Sequence, residues 1–276
     1  SYAIRISKTV DATMIERYRD ELGFNQSIPE QYLGWLKSIV RLDFGNSYIT
    51  GRPAMRELLA VMPVTLLLAG LSCVLILITA VPLGVLAAHR EGSWIDTLIM
   101  GLSFVSISVP GYFLGLLCLL VFGIYLNVMP VVGHGHPVSL LCAALVLSLP
   151  MIGSLSRILR SLMLENKQSD HVLYAKARGI GKRRVVRNHL LRNAAPSCIV
   201  MYGQNIGYLI AGTAIVETIF SARGLGQYAL TAALNRDFPV INAYIVLMAL
   251  CFVVCNVAAE GFGRMLNPGL NREGRT

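Results

Sequence analysis

Charge is scarce in this chain of 276 residues: Asp, Glu, Lys and Arg make up 14% of it, against 55% for hydrophobic residues. A soluble domain carries about 25% charged residues, so this composition excludes an ordinary water-soluble globule and points to a membrane protein. Cys-x-x-Cys pairs are absent. The six cysteines, Cys73, Cys118, Cys142, Cys198, Cys251 and Cys255, all lie in or beside apolar stretches, so no zinc or redox framework is legible. Cys251 and Cys255 share a helix face and could meet a soft metal, although packing as small apolar residues is the plainer reading. A phosphate-cradling loop is lacking too. Gly179-Ile180-Gly181-Lys182-Arg183 lacks the Gly-x-x-x-x-Gly-Lys-Ser/Thr spacing, which disfavours nucleotide binding by the chain itself; if ATP is used, a partner must hydrolyse it. Nor do the apolar stretches hold paired carboxylates or a nucleophile beside a base, which argues against an integral membrane enzyme.

Long apolar runs are what the chain has instead. A helix needs about 20 apolar residues to cross the bilayer core, and five stretches qualify, at roughly 64–88, 98–126, 138–163, 198–220 and 240–262. The second is interrupted at Ser108-Val109-Pro110, where proline removes an amide donor. A short helix near 95–106 followed by the true span is expected there. The net charge of +9 does not form the basic stripe that nucleic acid requires. It concentrates beside the spans, as in Arg157, Arg160 and the long link after the third span, and in Arg264, Arg272 and Arg275. Basic loops stay in the cytoplasm, which puts the long link and the C-terminus inside and the 127–137 link outside. Residues 1–60 are then expected outside, after an N-terminal span or a signal anchor ahead of Ser1. They carry two amphipathic patterns, Ile15-x-x-Tyr18-x-x-x-Leu22 and Tyr32-Leu33-x-x-Leu36-x-x-Ile39. The expected organisation is an extracytoplasmic segment 1–60, a five-span domain 61–265 containing the cytoplasmic loop 166–196, and a tail 266–276.

The stretch from Asp170 to Pro196 reads as a helix with Asp170 as N-cap, a turn at Gly179 and Gly181, and a second, basic helix ending before Pro196. Such a protruding unit can dock into a groove on a partner. It can equally act as a basic loop that fixes topology or touches anionic lipid.

Here the residues acquire a family. Tyr174-Ala175-Lys176-Ala177-Arg178-Gly179 and His189-Leu190-Leu191-Arg192-Asn193-Ala194 resemble the cytoplasmic loop of binding-protein-dependent importer permeases of the peptide/nickel branch. Leu42-Asp43-Phe44-Gly45, Thr50-Gly51-Arg52-Pro53, Pro82-Leu83-Gly84-Val85 and Ser161-Leu162-Met163-Leu164-Glu165 fit the same pattern in order. So do Val216-Glu217-Thr218-Ile219-Phe220, Gly224-Leu225-Gly226 and Asn235-Arg236-Asp237-Phe238-Pro239. Leu173 departs from the family loop's leading Glu, and Ala194-Ala195-Pro196 is one residue short before the proline. Tyr2-Ala3-Ile4-Arg5-Ile6-Ser7 and Phe252-Val253-Val254-Cys255-Asn256 look more like nickel and metallophore permeases than dipeptide permeases.

The resemblance implies an all-α, polytopic bundle with the type I ABC importer permease fold. It also implies an inner-membrane complex of this chain with a second permease, two ATPase subunits that bind ATP and Mg, and an extracytoplasmic solute-binding protein. No cofactor is expected in this chain, and the cargo is nickel or a metal chelate, with dipeptides or oligopeptides as the alternative. Coupling to the ATPase falls to Tyr174, Ala175, Ala177, Gly179, Lys182 and Arg183. Polar groups within spans are the pathway candidates: Gln204, Asn205 and Tyr208, with Ser148, Ser154 and Ser156 behind them. Gly203 and Gly207 give Gln204 and Asn205 a second reading, close helix packing. At the outer mouth, Glu217, Arg236 and Asp237 either meet the binding protein or pair among themselves with Arg223. His134 and His136 are candidate metal ligands, although two imidazoles alone do not complete a site.

Overall fold

A computed structural model describes residues 27–131 and 136–266. Among the described residues the chain is helical, with one isolated bridge between Asn46 and Pro53 in place of any sheet. The order is α1 (Ile28–Val40), α2 (Ala54–His89), α3 (Trp94–Ser108), α4 (Gly111–Tyr125), α5 (Pro137–Asn166), α6 (Asp170–Ala177), α7 (Lys182–Ile219), α8 (Leu225–Leu234) and α9 (Phe238–Leu266). These residues divide into two compact units. The smaller is the described part of Ser1–Ala60 with Ala229–Val246; the larger is Val61–Tyr228 with the described residues from Leu247 onward.

In the larger unit α2 shows why the elements are membrane helices. Leu68, Ser72, Ile76 and Ala80 are fully or almost fully buried along one seam at helical spacing, yet the opposite side exposes Leu66, Leu67, Val74 and Ile78. A helix apolar all round has no water-facing side and belongs in lipid. By length and composition α2, α5, α7 and α9 can each cross a bilayer, and α3 with α4 passes the same test as one bent pair.

The bend in that pair is 98° and sits where proline predicts it. Val109 is extended, at φ −82° and ψ 125°, because a residue before proline is pushed out of the helical region. Pro110 then opens α4, its carbonyl accepting from the amides of Phe113 and Leu114. The second half of α4, Leu119–Tyr125, widens into π-helical turns.

Helix α5 is the hub, packed against α3, α4 and α7. Its buried side carries Ala143, Ala144, Ser148, Ser156, Leu159 and Met163. Small residues let α3 come close: the Ser103 and Ser156 hydroxyls meet at 3.2 Å. Near the end of α5, Arg160 holds Asp96 of α3, and Lys167 pairs with Glu91 in the α2–α3 turn.

One expectation is corrected in this unit. The basic helix does not end before Pro196 but runs unbroken through it to Ile219. The turn Val186–Leu191 is π-helical. It loosens the backbone just ahead of Arg192, whose carbonyl, four residues back, is the one a mid-helix proline crowds.

Candidate functional site

The hairpin formed by α6 and the start of α7 is built by its turn. Gly179 adopts φ +74°, the left-handed geometry that costs a residue with a side chain about 1–2 kcal/mol. It lets the amide of Ile180 reach the carbonyl of Ala175 at 3.2 Å, a Schellman closure of α6. The two arms are also tied by side chains, His171 Nε2 lying 2.7 Å from Nδ2 of Asn193.

The hairpin has two unlike faces. Val172, Val185 and Leu190 are buried in the same cluster as Ala88 of α2 and Leu159 and Met163 of α5. Tyr174, Ala177, Gly179, Lys182 and Arg183 are exposed, and the Arg178 guanidinium lies 5.7 Å over the Tyr174 ring. Ala175, expected at a partner's surface, is buried instead, since it sits on the inward side of α6 with Val172. The inward anchors Val172, Val185 and Leu190 were not singled out from the sequence. Their signal was a spacing of apolar residues inside a basic stretch.

In α7 the exposed residues Met201, Gln204, Tyr208, Ala211 and Ile215 recur every three to four positions and form one stripe. The Gln204 side-chain amide makes no hydrogen bond among the described residues. Asn205 is half-buried and spends its amide on the Met201 carbonyl of its own helix at 2.7 Å. Tyr208 stands edge-on to Phe252 of α9, with centroids 5.3 Å apart. Gly203 and Gly207 flank the stripe, against Ala259 and Phe252: a β-carbon on either glycine would come within 2.5 Å of those side chains. Close packing thus belongs to the glycines, and the outward stripe to Gln204 and Tyr208. Ser148 and Ser156 are buried and donate to carbonyls of their own helix.

Glu217 and Asp237, offered either as contacts for the binding protein or as members of an ion-pair group with Arg223 and Arg236, are both held by neutral donors. Glu217 is completely buried in the larger unit. Its carboxylate accepts the Thr65 hydroxyl at 2.6 Å and the Gln227 amide at 3.0 Å, while the Thr65 oxygen accepts the Leu225 amide at 2.7 Å. Together they satisfy amides at the start of α8, where no residue inside the helix can do so. Asp237, in the smaller unit, is likewise buried. It accepts the Ser47 hydroxyl at 2.5 Å and the Tyr48 amide at 3.0 Å, which pins the 45–54 loop closed by the Ala54-to-Gly45 hydrogen bond. Arg236 is exposed, at φ +58° in the turn after α8. Buried carboxylates take neutral donors here because hydroxyls and amides satisfy them without burying a second charge.

His134 lies outside the described residues. His136 is at the N-cap of α5, its Nδ1 without a hydrogen-bond partner among the described residues. Among the described residues no three His, Cys, Asp or Glu side chains are grouped to hold a metal ion.

This arrangement has counterparts among known proteins. Residues 80–272 match the family described as binding-protein-dependent transport system inner membrane component. The chain is 34% identical over 265 residues, 96% of its length and 85% of the relative's, to the metal-staphylopine import system permease protein CntB of Staphylococcus aureus. It is also 34% identical over 264 residues to the oligopeptide transport system permease protein AppB of Bacillus subtilis, covering 92% and 84% of the two chains. In fold it matches an inward-facing structure of the MetNI methionine ABC transporter with a TM-score of 0.64, over 77% of this chain and 97% of that one, at 19% identity. The helical bundle is that of the type I ABC importer permeases, and the chain belongs to the binding-protein-dependent transport system inner membrane component family.

Proposed function

We propose that this permease carries nickel or an intact metal chelate across the bacterial inner membrane, driven by ATP that partner subunits bind with Mg and hydrolyse. The hairpin 170–192 is the coupling element. The observation that carries this reading is its two-facedness: an exposed docking surface around Tyr174 and Gly179, and an inner surface of Val172, Val185 and Leu190 buried with α2 and α5. A displacement imposed on the outer surface is handed to the spans as a rigid-body shift, because close-packed helices do not deform continuously.

The α7 stripe with Gln204 and Tyr208 faces a second permease subunit and the path between the two. An amide with no hydrogen-bond partner is costly against hydrocarbon, so Gln204 is better placed against protein or a wet channel than against lipid. Five spans, with the hairpin in the cytoplasm and the 127–131 side outside, agree with the charge distribution. An extracytoplasmic binding protein delivers the cargo. A chelate arrives with its coordination sphere filled, so the path needs shape and polarity, not inner-sphere ligands.

The metal reading is supported by the 34% identity to the metal-staphylopine permease. Relatives named for peptides at 33% and 34% identity make short peptides the second reading. The deciding experiment is ATP hydrolysis by the reconstituted complex, with its binding protein loaded with a nickel chelate or with a short peptide. Stimulation by the chelate alone is expected; stimulation by peptide alone overturns the metal cargo and leaves the coupling role intact.

A further inference from the structure

Helix α1 in the smaller unit is turned inside out. At about 100° per residue, Ile28, Tyr32, Leu33, Trp35, Leu36 and Val40 fall with Ile39 on one arc of about 160°, and Glu30, Gln31, Gly34, Lys37 and Ser38 on the other. A helix of a water-soluble unit points its apolar arc at the core. Here no residue of α1 is buried. The apolar arc is the open one, with Ile28 83%, Leu33 62% and Trp35 43% exposed. The half-buried positions are Gln31 and Ser38, on the polar arc, and Ile39, toward the Trp35 edge of the apolar arc.

We propose that α1 lies along the bilayer surface with this apolar arc in the lipid. Three features select lipid over a protein partner. Tyr32 and Trp35 sit side by side on the arc, ring centroids 5.8 Å apart, and these are the amphipathic rings that settle at headgroup level. Lys37 and Arg41 fall on the polar side, where their long stems reach phosphate while the apolar side is submerged. The helix is also tethered close to a membrane span. Its link to α2 is the short 41–53 stretch, closed on itself by the Gly45–Ala54 hydrogen bond and pinned through Ser47 and Tyr48 to Asp237. The helix is well formed for the task, with Ser27 and Glu30 closing a capping box and Pro29 in its first turn.

The test is site-specific photo-crosslinking in membranes that hold the whole importer. A diazirine amino acid is placed singly at 33 or 36 on the apolar arc and at 30 or 37 on the polar arc. Adducts are identified by mass. Severalfold more phospholipid adduct from 33 and 36 than from 30 and 37 is expected. Crosslinks from 33 and 36 to the binding protein or another subunit, or equal yields from both arcs, overturn the proposal.

Discussion

The carboxylate of Asp96 accepts two parallel hydrogen bonds from the guanidinium of Arg160, at 2.6 Å from Nε and 2.7 Å from Nη2, and a third at 3.0 Å from the amide of Gly92. The pair ties the first turn of α3 to α5, and Asp96 is only 3% exposed. Breaking one partner of a buried pair costs about 3–5 kcal/mol because a charge is left without its counterpart. Asp96→Asn and Arg160→Gln should each lower the melting temperature of the purified permease by several degrees. The double variant should lose much less than the sum, since it strands no charge. Strict additivity in the double-mutant cycle would show that the two side chains stabilise the protein independently.

A second buried carboxylate is held differently. Among the described residues Glu217 has no cation, only the Thr65 hydroxyl and the amide of Gln227. Thr65→Val removes a donor to the carboxylate and an acceptor for Leu225 while keeping the shape. It should destabilise by about 1–3 kcal/mol, read by thermal unfolding. Gly224→Ala should cost at least as much, because its β-carbon would lie 2.4 Å from the Glu217 carboxylate. An unshifted melting temperature in both variants would mean that α8 is held by other contacts.

Glu217 and Asp237 show what the sequence could and could not reveal. Helices were legible because apolar runs of membrane length have few other solutions in lipid, and the α3–α4 break because Pro110 acts locally. The hairpin was legible from Gly179 and its basic flank. The partners of Glu217 and Asp237 were not: Thr65 and Ser47 lie 152 and 190 residues away in sequence, and charge alone offered Arg223 and Arg236 as nearer matches. The inward turn of Ala175 was equally hidden, since a small residue fits either a partner's surface or the protein's own core. The continuity of α7 through Pro196 escaped because the compensating π-helical turn has no composition of its own.

The glycines of α7 separate two kinds of crowding. A β-carbon on Gly203 would lie 2.5 Å from Ala259 Cβ and 3.2 Å from its Cα, whereas on Gly207 it would meet the ring of Phe252. A ring can rotate away and a backbone cannot. Gly203→Ala should therefore cost more than Gly207→Ala, by about 1–2 kcal/mol within the usual range for overpacking. Melting curves of the two variants check this, and the reverse order would mean that α7 and α9 can separate more easily than Phe252 can turn.

Coupling is tested at Gly179. Nothing lies within 4 Å of its β-carbon position, so within this chain Gly179→Trp costs only the backbone strain of a positive φ. Gly179→Asn carries little of that strain and serves as the control. The Trp variant should reach the membrane and assemble as the control does, yet lose cargo-stimulated ATP hydrolysis by tenfold or more, about 1.4 kcal/mol in the step it blocks. Full transport by the Trp variant would remove the hairpin from the coupling path.

Gln204 separates the pathway from mere packing. Its amide is exposed on the α7 stripe with no hydrogen-bond partner among the described residues, while the glycines pack against α9 along the stripe's flank. If the stripe faced lipid, Gln204→Leu would remove a cost of about 1–3 kcal/mol and stabilise the protein, with uptake untouched. If it faces the path between two permeases, the same change removes a polar wall and should alter uptake rate or cargo preference without loss of assembly. Tyr208→Phe supplies the companion test, because it keeps the edge-on contact with Phe252 and deletes only the hydroxyl. Uptake by both variants, measured in proteoliposomes beside the melting temperature of each complex, decides between the two faces. Changed transport with unchanged stability places Gln204 on the cargo's route, and raised stability with unchanged transport returns this stripe to the lipid.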